Sequence, residues 1–166
     1  MLFRSVCTKP LDIVVAVDVS GSTSRSDFNK QVAFLRSVVD AIKVSASSGA
    51  RLIVFAFDHN MNSLASSFSD RKTRLKALVQ QQINSLTLTA GATTIDGAIV
   101  QVKEFFNTTS RNVPRVVVFL TDGVNYGGSE SLRIPAAELR TVSIKNKGLF
   151  SSIFLRFRPQ IGRAHV

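Results

Sequence analysis

Apolar positions along this chain follow two rhythms that alternate. Short unbroken runs at residues 11–17 (Leu-Asp-Ile-Val-Val-Ala-Val), 51–57 (Arg-Leu-Ile-Val-Phe-Ala-Phe) and 115–121 (Arg-Val-Val-Val-Phe-Leu-Thr) are rich in β-branched residues. Runs of this kind read as strands buried on both faces. Between them the apolar residues recur at helical spacing. Phe28, Val32, Leu35, Val39 and Ile42 form one stripe, with Gly49 ending the segment; Ile95, Ala98, Ile99, Val102 and Phe106 form another. Ser24 or Ser26 can cap the first helix, with Asp27 favourable in its first turn. Asp70 can cap a helix running to about Gln82, with Leu75, Leu78 and Val79 inward. A polar loop and a short segment from Leu64 to Phe68 precede it, and Pro135 to Arg140 reads as helical.

Strands alternating with amphipathic helices predict an α/β fold: doubly wound, with a mostly parallel central sheet and helices on both faces. Such sheets bind ligands outside the carboxyl ends of their strands. That rule directs attention to Asp18–Ser22, Asp58–Asn60 and Asp122.

The pattern breaks after Arg140, where a further buried strand is due. Residues 141–160 are an irregular continuation: either Leu149–Leu155 supplies the last strand, or a frameshift leaves a non-native tail, so the C-terminal part of the fold is expected to be truncated or aberrant. The ends look artificial. Leu2-Phe3-Arg4-Ser5 can be encoded by CTC TTC CGA TCT, whose reverse complement contains ATC GGA AGA G and so opens the codons of Ile161-Gly162-Arg163-Ala164. Residues 1–5 and 161–166 are therefore read as translated sequencing adapter and set aside from fold reasoning. The domain itself is placed at residues 10–140.

Charge changes this picture little. The formal net charge is +10, which invites a nucleic-acid reading. Residues 141–166 carry Lys145, Lys147, Arg156, Arg158 and Arg163 with no acid, whereas residues 6–139 carry 14 basic and 11 acidic residues, a net of +3. An excess confined to one tail says little about the domain, and no recognition-helix or RNA-binding aromatic motif accompanies it, so no nucleic-acid partner is expected. No apolar run is long enough to span a bilayer, and no signal peptide is visible. The one cysteine, Cys7, is either a free thiol or half of a disulfide whose partner lies outside this chain; its place just before the first strand suits a staple to the domain's other end. Asn107-Thr108-Thr109 is an N-glycosylation sequon.

Candidate chemistry centres on Asp18-Val-Ser20-Gly-Ser22 at the end of the first strand. Alternate positions offer one carboxylate and two hydroxyls, and Gly21 permits a tight bend. Hard cations take oxygen ligands and usually keep some water, which this set can satisfy; a Ser-rich capping turn without metal uses the same residues. The motif does not stand alone. Gly91-Ala-Thr93 precedes a helix, and Thr121-Asp122-Gly123 ends a strand. In this order and on these elements, the three motifs resemble the von Willebrand factor A domain over roughly residues 10–140.

The resemblance implies a metal-ion-dependent adhesion site. Ser20 and Ser22 would coordinate Mg²⁺ directly, with Mn²⁺ or Ca²⁺ as substitutes. Thr93 would supply a loop hydroxyl that coordinates in some states, and Asp18 and Asp122 would act mainly through bound water. The last coordination position would take a Glu or Asp of a protein partner, such as collagen or another matrix protein. In that family direct coordination by the loop Thr accompanies the open, high-affinity state. This chain departs from the pattern in one respect: the second Thr often found two residues after the first is here Ile95. Asp96 reads as an ordinary helix N-terminal acid and Asp58 as a loop acid.

The function expected is thus a metal-dependent adhesion or extracellular-matrix module, with the sequon and Cys7 leaning towards secretion. An alternative is an intracellular member of the same family working as an assembly subunit beside an ATPase. A haloacid-dehalogenase-type phosphotransferase would need a second Asp where Ser20 stands. His59 lies on a loop, His165 lies in the suspected adapter, and neither a nucleophile elbow nor a phosphate loop is present. No enzyme activity is expected.

Overall fold

A computed structural model describes residues 7–122 and the backbone of residues 150–156. Within these residues, five strands form one sheet in the order β3-β2-β1-β4-β5. They are β1 (Leu11–Asp18), β2 (Ala50–Phe57), β3 (Met61–Ser63), β4 (Arg115–Thr121) and β5 (Phe150–Arg156). All pairings are parallel except the antiparallel β2–β3. Three helices accompany them: α1 (Arg25–Ala41), α2 (Lys76–Asn84) and α3 (Ile95–Asn107).

The unbroken apolar runs become the central strands because both of their faces are covered. On one face, Val14 and Ala16 of β1, Phe55 and Phe57 of β2 and Phe119 of β4 pack against Ala98, Ile99, Val102 and Phe106 of α3. On the other, Ile13, Val15 and Val17 of β1 with Leu52 and Val54 of β2 meet Leu35 and Val39 of α1 and Val79 and Ile83 of α2. This is the doubly wound α/β arrangement that the sequence pattern predicts, with helices on both faces.

Local chemistry sets the helix starts. Ser24 caps α1: its hydroxyl accepts from the Asp27 N–H at 3.1 Å, and Asp27 sits in the first turn facing the helix's positive end. Ser24, not Ser26, is therefore the cap. The expected helix from Asp70 to Gln82 is instead two pieces. Asp70 caps a single 3-10 turn at Arg71–Thr73, its carboxylate accepting from the Lys72 N–H at 2.9 Å, and α2 begins only at Lys76. Leu75 lies at the break and is 40% exposed, so the inward placement expected for it is wrong. Gln82 takes the inward position, accepting from the Val54 N–H at 3.0 Å and donating to the Lys72 carbonyl at 2.8 Å. That buried amide holds the break against the edge of the sheet. Thr73 reinforces it by donating to the Phe68 carbonyl at 3.1 Å.

The strand β3, within what reads as a polar loop, pairs Met61 with Phe57 and Ser63 with Phe55. At the other edge Phe150–Arg156 run parallel to β4, Val118 opposite Ile153. The segment Pro135–Arg140, Gly123 and both suspected adapter ends lie outside the described residues.

Register fixes the two poles of the sheet. At the carboxyl pole Asp18 stands opposite Phe57, with Thr121 ending β4 beside it. At the amino pole Asp12 stands between Arg51 of β2 and Arg115 of β4. Arg51 grips Asp12 with two hydrogen bonds, 2.8 and 2.6 Å, and stacks on the Phe68 ring. Asp12 is wholly buried, so this pairing is what makes its charge tolerable in the core.

Candidate metal centre

The strand order turns outward in both directions from the β1–β4 pair, and that switch point is where doubly wound sheets open a crevice. Three segments meet there: the turn after β1, the loop entering α3 and the end of β4.

The turn after β1 is shaped by its own carboxylate. Asp18 Oδ1 accepts from the Ser20 N–H at 3.0 Å, and Asp18 Oδ2 accepts from the Thr121 hydroxyl at 2.7 Å. Asp18 is fully buried. Burial pushes its carboxyl above the ordinary value, the hydrogen bonds from Ser20 and Thr121 oppose the rise, and the nearby Asp122 charge adds to it. Asp122 itself, just past β4, is half-buried.

Three hydroxyls converge above this carboxylate. Ser20 Oγ lies 3.0 Å from Ser22 Oγ. The Thr93 hydroxyl donates to Ser20 Oγ at 2.7 Å and lies 3.4 Å from Ser22 Oγ. Adjacent oxygens of an octahedral Mg²⁺ site, each about 2.1 Å from the ion, stand about 3.0 Å apart. The three separations bracket that value, so the triangle fits one face of such an octahedron. Among the described residues no group of three or more His, Cys, Asp and Glu could hold a metal, and a donor set built on this triangle would be led by hydroxyls. Such a set leaves most of a divalent ion's charge for outside anions.

The loop carrying Thr93 is tied down from two sides. The Gly91 carbonyl accepts from the Gly21 N–H at 3.0 Å, joining it to the Ser20–Ser22 turn. Asp58, only 2% exposed, anchors it to the end of β2. Its Oδ2 accepts from the Thr89 hydroxyl at 2.7 Å, and its backbone carbonyl accepts from the Thr94 N–H at 3.1 Å and from the Thr94 hydroxyl. Burial alone would raise the Asp58 carboxyl. The Thr89 hydroxyl, the Asn60 N–H and the His59 charge outweigh it and hold the group below the usual carboxylate value. Reading Asp58 as an ordinary loop acid thus undersells it, because it positions the neighbouring loop.

Asp18, Ser20, Ser22 and Thr93 are therefore brought together by hydrogen bonds, with Asp122 at the same pole. Ile95 points into the core beneath α3, 4% exposed, so the position where the resembling family often has Thr is here a packing position. Asp96 lies in the first turn of α3 and His59 is exposed. Thr121 and Asp58 belong to the site's support: the sequence marks both as lying at strand ends, but not the hydrogen bonds by which they hold Asp18 and the Thr93 loop. Asn107 and Cys7 are exposed and far from the triangle, at the end of α3 and before β1; Cys7 is a free thiol among the described residues. No described helix is long and apolar enough to cross a membrane.

Comparison with known proteins bears on this geometry. The family model of the von Willebrand factor type A domain matches residues 12–147. The von Willebrand factor A domain-containing protein 2 of Xenopus laevis is 27% identical over 153 residues, covering 86% of this chain and 17% of that protein. Mouse collagen alpha-5(VI) chain is 28% identical over 138 residues, covering 80% of this chain and 5% of that one. The chain thus spans a small part of these curated relatives. Among solved structures, the mussel byssus proximal thread matrix protein 1 with a zinc-occupied MIDAS motif superposes with a TM-score of 0.66 at 18% identity, covering 90% of this chain and 38% of that one. Manganese-loaded TRAP protein of Plasmodium vivax gives a TM-score of 0.66 at 17% identity, covering 96% and 67%. At these identities the two structures speak for the fold.

Proposed function

The chain belongs to the von Willebrand factor type A domain family, and from that premise we propose that it is a protein-binding module that holds a partner carboxylate through a divalent metal ion. The observation carrying this reading is the Ser20–Ser22–Thr93 triangle, with sides of 2.7 to 3.4 Å, set over a buried carboxylate at the switch point of the sheet. Ser20, Ser22 and Thr93 coordinate the ion directly, while Asp18 and Asp122 hold its waters. The ion is Mg²⁺, with Mn²⁺ or Ca²⁺ able to substitute. Because its direct protein ligands are neutral, the ion stays electrophilic enough to take a Glu or Asp from outside.

The partner is an extracellular protein, collagen or another matrix component, and the module is secreted. The relatives supporting this include a collagen chain and, by fold, a byssus matrix protein. Cys7, exposed before β1, fits a disulfide to a segment beyond this chain.

Calorimetric titration with Mn²⁺ tests the metal, and capture of a Glu-bearing collagen-type peptide in Mg²⁺ against EDTA tests the partner class. Ser20→Ala should abolish both. Unchanged Mn²⁺ affinity in Ser20→Ala would sink the assignment, and equal capture in EDTA would sink the metal-bridged carboxylate.

A further inference from the structure

The sequon closes α3. Asn107 is the helix's last residue and is exposed, and Thr108 is its C-cap. The third position is tied far more tightly. The Thr109 hydroxyl donates to Asp12 Oδ2 at 2.6 Å, and accepts from Arg51 Nη2 and from the Arg111 N–H, the latter at 3.3 Å. A hydroxyl has one proton and two acceptor lone pairs, so this one is saturated. Its partners are the buried ion pair at the amino pole of the sheet. Thr108 is engaged as well: its hydroxyl donates to the Phe105 carbonyl at 2.7 Å and accepts from the Phe68 N–H at 3.2 Å.

We propose that Asn107 is an N-glycosylation site that is filled before the domain folds, because folding withdraws the Thr109 hydroxyl into the Arg51–Asp12 pair. The acceptor signal includes that third-position hydroxyl, so an enzyme reading it must reach it. In the folded chain this means breaking three hydrogen bonds around a buried carboxylate and unwinding the end of α3. In the nascent chain neither obstacle exists. The donor is an oligosaccharide linked to a polyprenyl diphosphate. The Asn107 amide nitrogen forms a bond to C1 of the first sugar, and the C1–O bond to the diphosphate breaks. The diphosphate leaves with the electron pair, and the amide proton passes to a base of the transferring enzyme.

Once placed, the glycan leaves the candidate metal centre clear. Thr109 sits against Asp12, and Asp12 and Asp18 are six residues apart along β1, about 20 Å of strand. The glycan therefore projects from the pole opposite the Ser20–Ser22–Thr93 triangle.

The proposal rests on the secreted reading above, and its test is independent of the metal. The full chain behind a heterologous signal peptide is translated with microsomes, and a glycosidase-sensitive mass shift is sought. In parallel, unmodified folded protein made in bacteria is offered to solubilised oligosaccharyltransferase with its lipid-linked donor and a generic sequon peptide as positive control. The nascent chain should be modified nearly completely, Asn107→Gln not at all, and the folded protein at least tenfold more slowly than the peptide. Arg51→Met, which loosens the Thr109 hydroxyl, should raise modification of the purified protein. An unmodified nascent chain would overturn the site, and folded protein modified as fast as the peptide would overturn the order. Mn²⁺ titration of the glycosylated product then reports on the metal reading separately; loss of that reading leaves a positive glycan result standing.

Discussion

The Thr93 hydroxyl lies 2.7 Å from Ser20 Oγ although 73 residues separate them in sequence. Ser20 is fixed by the turn after β1, whereas Thr93 rides on a loop held only by its neighbours. The triangle is thus made by two segments that are bonded to each other through the Gly21 N–H and the Gly91 carbonyl and to the sheet by separate contacts.

Thr93→Ala tests the loop's share. It removes one of the three hydroxyls proposed as direct ligands and leaves the Ser20–Ser22 pair in place. Loss of a supporting partner around a metal ligand typically costs 10- to 100-fold in affinity, and loss of a direct ligand should cost at least that. Calorimetry with Mn²⁺ reads it. Wild-type affinity in Thr93→Ala would remove Thr93 from the ligand set, and with it any affinity switch that works by exchanging this hydroxyl.

Asp18→Asn should separate folding from metal binding. Burial raises the Asp18 carboxyl above 3.8 in the folded chain. With the folded value raised, its contribution to metal-free stability is fully present below pH 3.8 and is lost as pH rises through the folded value. At neutral pH the ionised group is therefore a burden until a cation arrives. In EDTA, Asp18→Asn should melt at or above the wild-type temperature. With Mg²⁺ at about 100 times its dissociation constant, wild type should gain about 2.7 kcal/mol, or about 5–10 °C for a domain of this size, and the variant should gain little. A variant that melts well below wild type in EDTA would show that the carboxylate is needed for the fold itself.

How much of this was legible beforehand depended on how local each signal is. The strands β1, β2 and β4 announce themselves because a strand buried on both faces needs an unbroken apolar run, and the register then delivers Asp18 to the carboxyl pole. The strand Met61–Ser63 carries no such run. Two of its three residues are exposed and it is held by backbone pairing to β2, so it reads as loop. Leu75 misleads for a related reason: helical spacing counts it inward, but the buried amide of Gln82 and the hydroxyl of Thr73 hold a break there that periodicity does not register. At the site, Asp18, Ser20 and Ser22 are legible within one turn. Thr93 is legible through the family resemblance alone. The supports supplied by Thr121 and Asp58 join residues far apart in the chain, which no spacing rule reveals.

Arg51→Met should be among the costliest single changes. It leaves Asp12 wholly buried with its two-pronged partner gone, the Arg111 guanidinium remaining at 3.6 Å. Breaking a buried pair by removing one partner costs about 3–5 kcal/mol. In urea denaturation Asp12→Asn combined with Arg51→Met should cost less than the sum of the two single changes, because the second removes the charge that the first strands. Additive costs would mean that the two groups act independently.

Asp58 should confer a stability lost in acid. Its folded value lies below 3.8, so its contribution is fully present above that pH and falls away as pH drops through the folded value. Urea midpoints of wild type and Asp58→Asn, followed from pH 6 to pH 3, should converge at the acid end. A gap that stays constant with pH would assign the effect of Asp58 to shape and not to charge.

Gly91→Ala addresses how the Thr93 loop is placed. A β-carbon at Gly91 would run into the His59 imidazole and the Asp58 carboxylate. His59 is exposed and can swing aside. Asp58 cannot, because the Thr89 hydroxyl at 2.7 Å and the Asn60 N–H at 2.6 Å hold its two oxygens. The loop must therefore back away from β2, and Thr93, two residues on, moves with it. The Gly91 carbonyl also loses its geometry towards the Gly21 N–H, now 3.0 Å away, so the Ser20–Ser22 turn is disturbed too. Overpacking of this kind costs about 1–3 kcal/mol in stability, and displacement of one ligand should lower Mn²⁺ affinity about tenfold, the equivalent of about 1.4 kcal/mol. Adding Asp58→Ser makes room for the new methyl group and keeps a hydroxyl near Thr89. The double variant should regain part of the metal affinity that Gly91→Ala loses. If Gly91→Ala binds Mn²⁺ as wild type does, the contact between Gly91 and Asp58 does not set the position of Thr93, and the loop is placed by its hydrogen bonds, those of Thr89 and Thr94 to Asp58 and of Gly91 to Gly21.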